Sequence, residues 1–250
     1  MSFKGWIISA TVLIAGTSTI ASSAQPAALR PAASVRRAVP TEPVVVELFT
    51  AQGCPGCPDA NQVVETIADE PGVIALTYAV GYWDYMGWPD TFAKPQFAQR
   101  QRAYQTAMRL RGVYTPQVII DGRRQVSGAE APAVQTAVDE EAARRDFPPQ
   151  IEFRESGDQV GVGSGQPPVG GAEVWAVIYK PGAQMVTVNG GDNRGRVVRH
   201  VNVVRDLRKL GDWTGRPVLY ALPAHREVDE AVAVMVQAKG DRRILNAAKL

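Results

Sequence analysis

The sequence predicts an α+β/α/β protein in two parts: an α/β domain over residues 43–146, then a smaller, mostly antiparallel, sandwich-like β domain over residues 150–250. Three observations carry this. Val44-Val45-Val46-Glu47-Leu48-Phe49 is an apolar, β-branched run. A helix-like segment follows it, from Asp59 to about Ala68, and then a second apolar run, Val73 to Val80. Strands alternating with helical patterns read as a β–α–β unit with a right-handed crossover. Beyond Phe147-Pro148-Pro149 the helical pattern stops, and short strand-like runs succeed one another with turn residues between them, the pattern of an antiparallel sandwich or barrel.

Residues 1–24 have the layout of a signal peptide: Lys4 supplies a positive start, Trp6 to Ile20 a short apolar core, and Ser22-Ser23-Ala24 small residues for cleavage;. The apolar core is too short for a comfortable membrane span, so an exported protein, periplasmic or secreted, without stable membrane insertion is expected. Residues 25–42, rich in Ala, Pro, Arg and Ser, read as a disordered linker;. The chain carries 27 Lys and Arg against 25 Asp and Glu, so its charge gives no reason to expect nucleic acid or a membrane surface as partner.

The two cysteines of the chain, Cys54 and Cys57, stand between the first strand-like run and the first helix-like one. A Cys-x-x-Cys on a strand-to-helix turn is the layout of a redox site. Two intervening residues let a disulfide close in a tight turn, and a thiolate at a helix start feels the positive end of the dipole. Other readings stand beside this one. A structural zinc site needs about four ligands, and the chain offers no further cysteine and only His200 and His225. A purely structural disulfide would close so short a loop that it stabilises little by chain entropy.

After Val73 to Val80, which reads as a strand buried on both faces, comes Gly81-Tyr82-Trp83-Asp84-Tyr85-Met86-Gly87-Trp88-Pro89-Asp90. Its aromatics read either as an apolar lip, led by Tyr82 and Trp83, that grips a substrate beside the dithiol, or as a small satellite core under a loop. Lys94 to Arg111 follows as a helix with Phe97, Tyr104 and Met108 near helical spacing;. Arg100, Arg102, Arg109 and Arg111 read as its solvated face, with the option that one holds an anionic group. Thr115-Pro116 opens an apolar strand, which is where proline is tolerated. If its bond is cis, the backbone of Thr115 can pair with an extended substrate. Asp121-Gly122 is a hairpin turn, Arg123 to Ser127 the return strand, and Glu130 to Arg145 a closing helix with Val134 and Val138 inward.

Thr-Pro ahead of a strand, some way after a Cys-x-x-Cys, resembles the thioredoxin superfamily. The local wording, Phe49-Thr50, Gly53-Cys54-Pro55-Gly56-Cys57, then Thr115-Pro116-Gln117-Val118-Ile119-Ile120-Asp121-Gly122 ending at Gly128, is nearest to glutaredoxins. Over residues 43–250 the chain looks like an uncharacterised family of secreted bacterial thioredoxin-like proteins. The resemblance implies a thioredoxin-like domain of β-α-β-α-β-β-α order in which Pro116 is cis and faces the dithiol. It implies thiol-disulfide exchange on protein or small-molecule disulfides, with Cys54 and Cys57 catalytic, Thr115, Pro116, Trp83 and Tyr82 at the substrate, and no cofactor. Thioredoxins carry Trp before the first cysteine and an acid six positions before it, whereas here Gly53 precedes Cys54 and the acid, Glu47, lies seven before. One residue of slip changes the face of a strand, so Glu47 is either a proton-transfer group for the thiols or a strand-end surface acid. Cys54, nearer the strand end, is the expected exposed and attacking sulfur, and Cys57 the resolving one. Pro58 lacks an N–H and Asp59 adds negative charge, which favours a reductant or isomerase over a strong oxidant.

In the second half the runs are Ile151 to Arg154, Gln159 to Gly163, Ala172 to Lys180, Gln184 to Asn189, Arg196 to Val204, Arg216 to Ala221 and Ala231 to Ala238. Around the turn Gly190 to Arg196, alternation puts Val198, His200, Asn202 and Val204 on one face. His200 and Asn202 read as a hydrogen-bonded, half-polar sheet face or as lining a site. Two rival functions follow. Reduced Cys-x-x-Cys thiolates are soft ligands suited to Cu(I), with His200 as third ligand of a metallochaperone. Alternatively the protein is a binding module whose disulfide is permanent and buried.

Overall fold

Apolar β-branched runs that are buried on both faces need strand neighbours on both edges, and the second half of the chain supplies them. The computed structural model describes residues 1–2, 5, 42–144, 148–224 and 227–250. The expected leader, apart from Met1, Ser2 and Gly5, most of the linker, and His225 lie outside the described residues. No helix among them is long and apolar enough to cross a membrane.

The elements run β1 (Val44–Thr50), α1 (Cys57–Ala68), β2 (Val73–Ala79), a 3-10 turn (Asp84–Met86), α2 (Pro95–Ala107), β3 (Gln117–Ile120), β4 (Arg124–Ser127) and α3 (Ala131–Ala142). There follow β5 (Ile151–Phe153), β6 (Gln159–Val162), β7 (Ala172–Thr187), β8 (Val197–Trp213), β9 (Val218–Ala221), β10 (Ala231–Ala238) and β11 (Ile244–Lys249). Helix α1 begins at Cys57 itself, with Gly56 as its cap and Pro58 in its first turn, a position proline tolerates because the first N–H groups are unpaired anyway. Helix α2 ends at Ala107 rather than near Gly112, because Arg109 turns into the left-handed region at φ 54°. Asp121 and Gly122 both take positive φ, 48° and 62°, as a type I′ hairpin requires.

The expected thioredoxin-like α/β domain followed by a separate sandwich is not what the chain forms. One mixed sheet of eight strands, in the order β11-β10-β7-β8-β2-β1-β3-β4, runs through both halves, and a three-stranded sheet, β5-β6-β9, accompanies it. Helices number only three among the described residues. The physical reason lies at the edge of β2. Thr77 pairs with Val203 of β8 in parallel register, and its hydroxyl donates to the carbonyl of Val201 at 2.6 Å. Asn202 Nδ2 donates to the carbonyl of Ala75 at 3.0 Å. Strand β8 thus occupies an edge that would otherwise leave unpaired backbone exposed. The two runs around Lys180 fuse into the single strand β7, which pairs with β8 along nearly its whole length with bulges on the way. At one bulge Asn202 takes φ 48°, its side-chain oxygen accepts from Gly182 N at 2.9 Å, and the alternation along β8 shifts there. Val201, Val203 and Val204 are consequently all buried.

Three apolar clusters hold these layers. One lies on the α2 side of the large sheet and contains Phe49, Tyr78, Phe97 and Tyr104 together with both cysteines. A second joins β1, β2 and β3 to α1 and α3 through Leu48, Val64, Val118, Val134 and Val138. The third seats the three-stranded sheet against β7 and β10 around the fully buried Trp213.

Candidate functional site

Strand β1 ends at Thr50, and the chain then turns through Ala51 to Gly56 into α1, which places both cysteines at the C-terminal end of a central strand. Cys54 and Cys57 form a disulfide, with their Cα atoms 5.4 Å apart. Both are buried: Cys54 is 1 % exposed and Cys57 0 %. The expectation of an exposed Cys54 is therefore corrected.

The Thr115–Pro116 bond is cis. Pro116 Cδ approaches to 3.7 Å of the point where a Cβ on Gly56 would sit. Gly128 allows this packing, because a Cβ there would stand 3.2 Å from Pro116 Cβ and 3.0 Å from Ala60 Cβ. Trp83 lies against Gly53, and its indole N–H donates to Thr115 Oγ1 at 2.7 Å. Tyr82 is half-buried and donates to Gln101 Oε1 at 3.3 Å, and burial pushes its phenol up. The structure therefore brings Cys54, Cys57, Trp83, Thr115 and Pro116 together, with Tyr82 at the margin. The aromatic loop divides between its two readings: Tyr82 and Trp83 pack on the core, while Tyr85 is 79 % exposed and stacked on Trp83, with ring centroids 6.4 Å apart. A groove of about 470 Å³ is lined by Arg109, Leu110, Arg111, Val113, Tyr114 and Gln125.

Glu47 is neither at a strand end nor at the surface; it is fully buried. Arg100 was expected on a solvated helix face and is buried against it, donating to Oε1 from Nε at 2.6 Å and to Oε2 from Nη2 at 3.0 Å. Tyr104 Oη also donates to Glu47, and Gln237 of β10 accepts from Arg100 Nη1 at 3.2 Å and donates to Tyr104 at 2.9 Å. Burial alone would lower the Arg100 guanidinium, but the carboxylate of Glu47 overrides it and raises it. Burial likewise pushes the phenols of Tyr104 and Tyr78 well up. Both oxygens of Glu47 are thus committed to this network. Arg102, Arg109 and Arg111 are exposed, as expected.

Several residues that matter here carried no motif. Gln52 N donates to Asp90 Oδ2 at 2.6 Å, and burial raises the Asp90 carboxyl. Trp88 Nε1 donates to Gln52 Oε1 at 2.8 Å. Asn193, fully buried, donates from Nδ2 to the carbonyls of Gln52 at 2.8 Å and Cys54 at 2.7 Å. Asn193 could have been suspected only from its place in a Gly-rich turn.

His200 is fully buried, meets Phe92 edge-on at 5.4 Å, and neither ring nitrogen has a hydrogen-bond partner. The backbone of Gln184 and Val198 favours the protonated ring, against the larger opposing effect of burial. The expected hydrogen-bonded histidine is corrected accordingly. Among the described residues no three of His, Cys, Asp and Glu gather as a metal site. Burial lowers the imidazole to about 4. A ring that refuses its proton when folded but takes it at about pH 6.5 when unfolded costs stability as pH falls from 6.5 toward 4. His200→Leu is expected to stabilise the protein at pH 7 by about 1–2 kcal/mol, because two unpaired buried nitrogens are removed. It should also flatten the loss of stability between pH 6.5 and 4 by about 2–3 kcal/mol. Urea unfolding across that range checks both, and an unchanged slope would show that the ring is solvated.

Fold and site together define a class: a mixed-sheet protein with one buried Cys-x-x-Cys disulfide at a helix start beside a cis X-Pro bond. The chain belongs to the family described as "Protein of unknown function (DUF1223)", whose model matches residues 45–237. Among solved structures it is similar to a protein of Agrobacterium tumefaciens determined by X-ray crystallography, with 32% identity, 83% of this chain and 93% of that one covered, and a TM-score of 0.68. It also shares fold with HBP35 of Porphyromonas gingivalis, at 15% identity, covering 84% and 75% of the two chains, with a TM-score of 0.55. No curated protein matches the chain.

Proposed function

We propose that this protein is an exported thiol-disulfide oxidoreductase whose redox centre is Cys54–Cys57, acting on protein or small-molecule disulfides. The observation that carries the reading is the disulfide at the start of α1 with the cis Thr115–Pro116 bond packed against its turn. The local resemblance of residues 53–57 and 115–122 to dithiol oxidoreductases supports the chemistry, although the surrounding sheet differs. In one direction, a client thiolate attacks Cys54 Sγ, the Cys54–Cys57 bond breaks, and Cys57 leaves as a thiolate that takes up a proton. The client's second thiolate then displaces Cys54 from the mixed disulfide. Two electrons and two protons pass from client dithiol to protein; the reverse sequence reduces a client disulfide. Trp83 and the cis bond would fix an extended client at Thr115. Export rests on residues 1–24 and places the centre where disulfides persist.

The burial of both sulfurs favours a second reading, a binding module with a permanent disulfide. The reduction potential of Cys54–Cys57 separates the two. In glutathione and dithiothreitol buffers, with alkylation and mass readout, a reversible two-electron transition between about −120 and −270 mV is expected for an exchange catalyst. A disulfide still intact below about −300 mV would overturn that reading in favour of the binding module.

A further inference from the structure

The carbonyl of Cys54 is held from outside by one side chain, that of Asn193. The tip of the β7–β8 hairpin, residues 188–196, crosses the Cys54 turn. Within it Val188 and Asn193 are buried, whereas Asp192, Arg194, Gly195 and Arg196 are exposed. The strap closes on itself through Val188 N to Arg196 O at 2.9 Å and Gly195 N to Val188 O at 2.8 Å. It presses on the aromatic loop, since a Cβ on Gly190 would run into the carbonyl of Gly87 and one on Gly191 would stand 3.6 Å from Gly53 Cα. Asn193 Nδ2 reaches through to Gln52 O and Cys54 O, and Arg196 Nη1 steadies the amide by donating to Asn193 Oδ1 at 2.9 Å. A hairpin tip with mostly exposed side chains, whose side-chain hydrogen bonds to the Cys54 turn come from the amide of Asn193, is the kind of element that opens below the global unfolding limit.

We propose that the 188–196 strap is a lid over the Cys54 sulfur, latched by Asn193, and that attack on the disulfide waits for Asn193 to release the carbonyls of Gln52 and Cys54. The proposal rests on the exchange reading and adds its regulation: resting oxidised protein is closed to thiols, and a client gains access by lifting the strap. Once it is lifted, the incoming thiolate bonds Cys54 Sγ and Cys57 leaves with the electron pair of the broken S–S bond.

Stopped-flow reduction of the full chain by dithiothreitol tests this. Asn193→Asp keeps the shape but puts a carboxylate where the donor was, facing two carbonyls. It is expected to be reduced at least about tenfold faster than wild type, the consequence of losing two buried hydrogen bonds. Arg196→Ala, an exposed position, is expected to react about threefold faster with an unchanged melting temperature, and Arg196→Lys to return to the wild-type rate. Should Asn193→Asp not fold, Arg196→Ala decides. Wild-type rates in the folded variants would overturn the lid. The rates and the reduction potential fail separately. Faster reduction of a disulfide too stable for exchange keeps the lid and sinks the exchange reading, whereas an exchange-competent potential with unchanged rates does the opposite.

Discussion

Arg100→Leu is expected to destabilise the fold by about 3–5 kcal/mol, the range for breaking a buried ion pair by removing one partner. The guanidinium holds both oxygens of Glu47, donates to Tyr104 Oη at 2.8 Å and to Gln237, and stands over the rings of Tyr104 and Tyr78 at 5.1 and 5.7 Å. It ties α2 to β1 and β10. Its loss leaves the Glu47 carboxylate buried with only the hydroxyl of Tyr104, and desolvating an unmatched charge is the dominant cost. Adding Glu47→Leu to Arg100→Leu removes that charge and should recover at least half of the loss, because replacing both partners by apolar groups of similar volume is often close to neutral. Urea midpoints of the single and double variants measure this coupling. A loss below about 1 kcal/mol for Arg100→Leu would show that Glu47 is hydrated and the network dispensable.

Much of the first half was legible because its signals are local. Apolar runs gave β1 and β2, Pro116 before an apolar run gave the start of β3, and Asp121-Gly122 gave the hairpin, since each turn or strand preference acts within a few residues. Cys54, Cys57, Trp83, Thr115 and Pro116 were nameable and do come together. The joining of the two halves in one sheet was not legible, because it depends on which strand covers the free edge of β2. Thr77, the one aliphatic hydroxyl in an otherwise largely apolar run, was the trace of that partner, and its acceptor Val201 is 124 positions away. Arg100 was misplaced for a similar reason. An arginine on an amphipathic helix belongs in water unless a carboxylate waits inside, and Glu47 waits on a strand 53 positions earlier. Asn202 defeated strand alternation because a positive φ at a bulge shifts which side chains face inward. Asn193 works through backbone carbonyls, which leave no mark in sequence.

Cys54→Ser and Cys57→Ser should each lower disulfide exchange by at least about 1,000-fold, since neither can form the intramolecular disulfide, yet the two variants should differ in what they trap. Cys57 is the first residue of α1, with Gly56 as cap. A thiolate leaving from Cys57 departs into the positive end of the helix dipole, which stabilises it. A thiolate leaving from Cys54, in the turn before Gly56, would lack that place inside the first turn of α1. Attack is therefore directed at Cys54, because a better-stabilised leaving thiolate leaves faster. Pro58 supplies no N–H and Asp59 stands in the first turn, which moderates the difference and leaves the dipole, strongest within the first turn where Cys57 sits, as the field that favours its thiolate. In Cys57→Ser the remaining Cys54 should accumulate a mixed disulfide with a client thiol, because nothing is left to resolve it. In Cys54→Ser the Cys57 thiolate, stabilised at the helix start, is the better leaving group of any mixed disulfide it forms and should accumulate little. Intact-mass analysis after incubation with an oxidised peptide reads both adducts. Equal trapping by the two variants would remove the asymmetry between the sulfurs, and undiminished exchange by either would place the chemistry elsewhere in the protein.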